Sequence, residues 1–89
     1  MSSAKTKARQ CAVQALYQWQ MTGQDLSAIE GQFKEDQRLK NAQKSYFADL
    51  FHGVPKHLDK IDASMADFVD REVEKIDPVE RAILRIGVY

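Results

Sequence analysis

Eighty-nine residues make one small domain, with room for a modest core and nothing to spare for a second. Hydrophobic residues are 44% and charged residues 29%, a globular composition, and 13 basic residues cancel 13 acidic ones, so net charge selects no partner. A single cysteine excludes an intrachain disulfide and any multi-cysteine metal site, and it fits a reducing compartment such as the cytoplasm. No apolar run approaches the ~18 residues needed to span a bilayer.

The chain reads as helices throughout. From Lys5 to Met21 there is no Gly or Pro, and Ala8, Cys11, Ala12, Ala15, Leu16 and Trp19 recur at helical spacing along one face. Gly23 suits the C-terminal cap of this first helix. A shorter second helix is expected from Asp25 to Ser27 onward, with Ser27 and Glu30 at capping-box spacing and Leu26, Ile29 and Phe33 as its apolar face. Residues 34–45 are mostly polar and hold a turn. Phe47, Leu50, Phe51, Val54, Leu58, Ile61, Met65 and Phe68 then step by three or four along a long third helix. Pro55 lies inside it and cannot donate to the carbonyl of Phe51, which predicts a kink or a break there. Asp77-Pro78-Val79-Glu80 opens a fourth helix, with Asp77 as N-cap and Pro78 at the first helical position. The expected fold is therefore an all-α bundle of about four helices.

The fourth helix places Val79, Ala82, Ile83, Ile86 and Tyr89 on one apolar face, with Leu84 and Val88 nearly opposite. A helix apolar on two sides is one buried between neighbours. The expectation is a single domain, residues 1–89, cut short after Tyr89, whose uncovered face at Leu84 and Val88 either frays or drives self-association through residues 79–89.

Charge is balanced overall but not locally. Lys5, Lys7 and Arg9 stand without an acid near the start, whereas Asp67, Asp70, Glu72, Glu74, Asp77 and Glu80 crowd a later stretch. Such runs are either solvated faces or complementary surfaces for an anionic and a basic partner. On the first helix an i+4 ridge runs Lys5, Arg9, Val13, Tyr17, Met21, off the core stripe. Val13, Tyr17 and Met21 either pack on another helix or face a partner. Lys5, Lys7 and Arg9 are suited to phosphates rather than to reading bases.

Nothing in the sequence points to catalysis, a metal or a cofactor. His52 and His57 are five apart, not at the i, i+4 spacing of a helical metal pair. Cys11 falls in the apolar stripe, where a small buried thiol is expected. There is no Gly-rich phosphate loop and no nucleophile elbow.

The stretch from Ala8 to Trp19 resembles the opening helix of the NusB family of bacterial transcription antitermination factors. Tyr46-Phe47, Gly53-Val54 and the run from Val79 to Ile86 with Tyr89 resemble that family in the same order. The resemblance implies an all-α, non-enzymatic, RNA-binding protein. It implies pairing with the ribosomal protein NusE, binding of boxA RNA, and entry into an antitermination complex on RNA polymerase, notably at ribosomal RNA operons. It implies that Lys5, Lys7 and Arg9 contact RNA and that Tyr17 and Glu80 face NusE. Thr6 departs from the family's arginine-rich start, and lysine does not reproduce the bidentate arginine fork. Pro55 has no counterpart in that pattern. Two alternatives share the sequence features: a NusB-like module of a ribosomal RNA cytosine methyltransferase, and a helical interaction domain without an RNA role.

Overall fold

A computed structural model describes residues 3–67 and 73–89. Among these described residues there are five α-helices, one 3-10 turn and no strand. They are α1 (Ser3–Thr22), α2 (Leu26–Glu35), α3 (Lys44–Lys56), α4 (Leu58–Ala66), the 3-10 turn Val73–Lys75, and α5 (Pro78–Val88). No helix among the described residues is long and apolar enough to cross a membrane.

α1 is the centre of the assembly, packing against α2, α3 and α5. Its inward stripe is short-chained: Ala8, Ala12 and Ala15 are fully buried beside Cys11 and Leu16. Small side chains on that stripe leave room for large ones opposite. Phe33 of α2 and Phe47 and Phe51 of α3 fill the space, their rings stacked at centroid separations of 6.0 and 5.5 Å. Trp19 and Leu26 lie half-buried at the margin of this core. Gly23 ends α1 at φ 68°, its N–H donating to the carbonyl of Trp19 (2.9 Å), as a helix-terminating glycine should.

The long third helix of the sequence reading is two helices. α3 runs through Pro55 to Lys56, and the chain breaks at His57 (φ −110°) before α4 begins at Leu58. Pro55 leaves the Phe51 carbonyl without its helical donor, and the ladder fails within two residues. The apolar spacing continues across the break because Ile61 and Met65 of α4 reach the same core. Phe68 lies outside the described residues. The capping box expected at Ser27 and Glu30 does not form: α2 starts two residues earlier, with Asp25 in place of Ser27 as N-cap, and Ser27 donates to the Asp25 carboxylate (3.1 Å). Glu30 instead meets His52 of α3 at 3.3 Å. The polar turn of residues 34–45 hides two apolar anchors, Leu39 and Ala42.

α5 begins as its sequence dictates, Asp77 accepting from the N–H groups of Val79 (2.9 Å) and Glu80 (3.4 Å). Its rotation differs from the expected one. The buried side holds Ala82, Arg85 and Ile86, and Leu84 and Val88 are half-buried against the core. The uncovered face lies at Val79 and Ile83, which are 45% and 52% exposed. The cause is Arg85, only 7% exposed. Its guanidinium donates twice to Asp62 of α4 (Nε to Oδ1 2.9 Å, Nη2 to Oδ2 2.8 Å) and once to Gln20 of α1 (Nη1 to Oε1, 2.7 Å). Gln20 completes the join by donating to the Pro78 carbonyl (2.9 Å). An apolar count treats Arg85 as outward and so turns the helix toward Ile83.

The end of α5 is fixed by Tyr89. Its ring stacks on His57 (6.0 Å), its hydroxyl donates to Asp49 (2.8 Å), and it lies so close to Gly53 that a methyl there would overlap it. The bond to the Asp49 carboxylate holds the Tyr89 proton on and raises its pKa.

Two expected outcomes follow from these contacts. Arg85→Ala strands the Asp62 carboxylate and the Gln20 amide and should lower stability by about 3 kcal/mol in urea denaturation. Arg85→Lys should recover only part of this, lacking the fork. In ultraviolet titration Tyr89 should lose its proton above the ordinary tyrosine range, and Gly53→Ala or Asp49→Asn should bring it back down. Because its folded pKa is raised, its stabilising bond is present below the unfolded tyrosine value and is lost as pH rises through the folded one.

Candidate functional site

Two exposed surfaces flank the buried stripe of α1. The first is at its start. Lys5 places its ammonium 5.6 Å from the ring centroid of Tyr46, and Arg9 places a guanidinium nitrogen 3.4 Å from the hydroxyl of the same tyrosine. Both contacts reach from α1 to the first turn of α3. The backbone joins the two helix starts directly, the Gln43 N–H donating to the Ala4 carbonyl (3.0 Å). Tyr46 is half-buried and packed on the core, so it is a fixed platform for the two cations. Lys7 does not join them. Two residues from each, it lies about 200° round the helix and is half-buried.

The second surface is a groove of about 400 Å³ toward the other end of α1. Val13, Tyr17 and Met21 form its wall along the i+4 ridge, and Val79 faces them from the first turn of α5. Tyr17 is 39% and Met21 56% exposed, whereas Val13 is half-buried at the foot of the ridge. Arg38, from the turn after α2, closes one side. Its guanidinium lies 3.9 Å from the Phe33 ring centroid and bonds the Gln14 side chain, while its carbonyl accepts from the Cys11 thiol (3.3 Å). Those bonds hold a cation at the edge of an apolar surface.

The sequence ridge of Val13, Tyr17 and Met21 is thus brought together, and Lys5 with Arg9 likewise. Glu80 is exposed in the same turn as Val79 but does not line the groove. Val79, which apolar spacing places on the core face, and Arg38, which no spacing rule marks, both line the groove. The signal for Val79 was available only through the rotation that Arg85 imposes. Arg38 carried none, since its place depends on Gln37 and Asn41 adopting positive φ (58° and 65°) in the turn around it. Cys11 is buried, and among the described residues no three His, Cys, Asp or Glu side chains gather as metal ligands.

Fold and site together define a small all-helical domain, with a cationic corner at one end of its central helix and an apolar groove at the other. The chain belongs to the NusB family, which matches residues 6–89. It is 47% identical over 87 residues to the transcription antitermination protein NusB of Aeromonas hydrophila, an alignment covering 98% of this chain and 64% of that protein. It is 41% identical to the protein of the same name from Pectobacterium carotovorum, over 98% of this chain and 63% of that one. With the Legionella pneumophila NusB the identity is 41%, over 96% of this chain and 58% of that one. The chain therefore spans about three-fifths of the length of these curated relatives.

Tyr17 should behave as a surface residue. Tyr17→Ala is expected to change folding stability by less than about 1 kcal/mol, against about 3–5 kcal/mol for Phe51→Ala in the core. Urea midpoints of the two variants check this, and a Tyr17 loss as large as that of Phe51 would place its ring in the core.

Proposed function

We propose that this chain acts in transcription antitermination as an RNA-binding adaptor, not an enzyme. In this reading the cationic corner takes boxA-type RNA through Lys5 and Arg9, and Lys7 adds its charge from another side of the same turns of α1. The groove of Val13, Tyr17 and Met21, with Glu80 beside it, takes the ribosomal protein NusE. The pair then joins the antitermination complex on RNA polymerase in the cytoplasm. Supporting this most is the placement of two chemically unlike surfaces on one helix. Lys5 and Arg9 occupy the first two turns of α1, and Tyr17 and Met21 the last two. The twelve helical steps from Lys5 to Tyr17 span about 18 Å, which lets one ligand sit at each end. The antitermination names of the relatives agree with this role. An acidic Glu80 near an apolar groove suits a basic ribosomal protein.

Binding of a single-stranded RNA across a salt series tests the reading. Lys5→Ala and Arg9→Ala should each weaken binding alike for all sequences and flatten the slope of log K against log salt by about 0.7 unit. Lys7→Ala should act in the same direction. Tyr17→Ala should leave RNA binding as it was and weaken the protein partner by roughly thirtyfold, the loss typical of an interface anchor. RNA binding unchanged at low salt in the triple Lys5, Lys7 and Arg9 variant would contradict the assignment.

A further inference from the structure

A third feature lies outside both surfaces. Lys34 in the last turn of α2, Lys40 in the turn that follows and Lys44 at the start of α3 line one concavity of about 280 Å³, together with Gln37 and Leu39. No carboxylate lines it, and among the described residues none of the three lysines is held in an ion pair. Residues 34–44 contain four basic side chains against Glu35 and Asp36, both exposed. The lysines are displayed on a fixed turn rather than a loose one. Leu39 is buried beneath it, and Gln37 and Asn41, at φ 58° and 65°, reverse the chain so that the end of α2 and the start of α3 border the same space.

This concavity adjoins the cationic corner. The bond from the Gln43 N–H to the Ala4 carbonyl sets Lys44 beside the first turn of α1, and Tyr46, two residues on, carries Lys5 and Arg9. Lys44 also lies against the grain of its own helix. α3 has no acid in its first turn and no side-chain cap on its N-terminus, so a cation there meets the positive end of the helix. That like-charge cost is relieved when an anion binds. Lysines act as point charges, suited to a phosphate path rather than to reading bases.

We propose that Lys34, Lys40 and Lys44 form a phosphate-binding subsite that extends the RNA path from Lys5 and Arg9 round the start of α3. It rests on the RNA reading given above. The test is fluorescence anisotropy of a labelled single-stranded RNA over a salt series, with three variants of the whole chain. The Lys34, Lys40 and Lys44 to Gln triple should flatten the salt slope by about two units, at roughly 0.7 per lost contact. A Lys56 and Lys60 to Gln double, which removes charge around the join of α3 and α4, should leave the slope near that of the parent. A Lys5 and Arg9 to Gln double tests the underlying reading. If the triple matches the Lys56 and Lys60 control while the Lys5 and Arg9 variant still weakens binding, the subsite is wrong and the RNA reading stands. If the Lys5 and Arg9 variant also binds like the parent, the RNA reading itself fails and the subsite with it.

Discussion

One buried guanidinium determines how the last helix sits. Arg85 is held by the Asp62 carboxylate and the Gln20 amide, and three donors in a planar fork satisfy partners on two different helices. Taking a charge out of water is tolerable only with such complete pairing. Once Arg85 points inward, helical periodicity leaves Val79 and Ile83 outward. Val79 then faces Tyr17 and Met21, and the groove exists. The apolar surface proposed for a protein partner is in this sense a consequence of a polar contact on the far side of α5.

α1 supplies the other half of the design. Its alanine stripe lets α3 and α5 approach closely, so the bulk of the core comes from the phenylalanines of α2 and α3. With its inner face filled by small residues, α1 can spend the remaining turns on exposed chemistry. Its first turns carry cations anchored on Tyr46, and its last carry an aromatic and a methionine. The rigidity of the helix keeps these ends about 18 Å apart. That separation is the physical basis for the proposed binding of RNA and protein at once.

Most of the helical architecture is legible from periodicity and caps. The buried stripe of α1, the apolar faces of α2 and α3, the Gly23 stop and the Asp77-Pro78 start all follow from local rules. The places where sequence reasoning fell short share a cause: each depends on a contact far away in the chain. Pro55 announces a disturbance, but in-phase apolar residues on both sides do not tell a kinked rod from two helices. Ser27 and Glu30 have box spacing, yet the helix starts before them and His52 engages Glu30. Arg85 looks like a surface arginine until Asp62 and Gln20 are found beside it, which no spacing rule supplies. The Tyr46 platform is hidden likewise, because Lys5 and Arg9 reach it across 37 to 41 residues. Of the candidate site, the ridge and the pairing of Lys5 with Arg9 are readable, whereas Lys7, grouped with them by charge, lies on another side of the helix. The partners of the ridge and of that pair, Val79, Arg38 and Tyr46, are not.

On this reading RNA and the protein partner use separate ends of α1. Backbone amide shifts of the labelled chain during titration with single-stranded RNA test it most directly. Changes should be confined to the first turns of α1, the turn after α2 and the start of α3, around Lys5, Arg9, Lys44 and Tyr46. Changes centred instead on Val13, Tyr17, Met21 and Val79 would contradict it, since RNA would then occupy the groove.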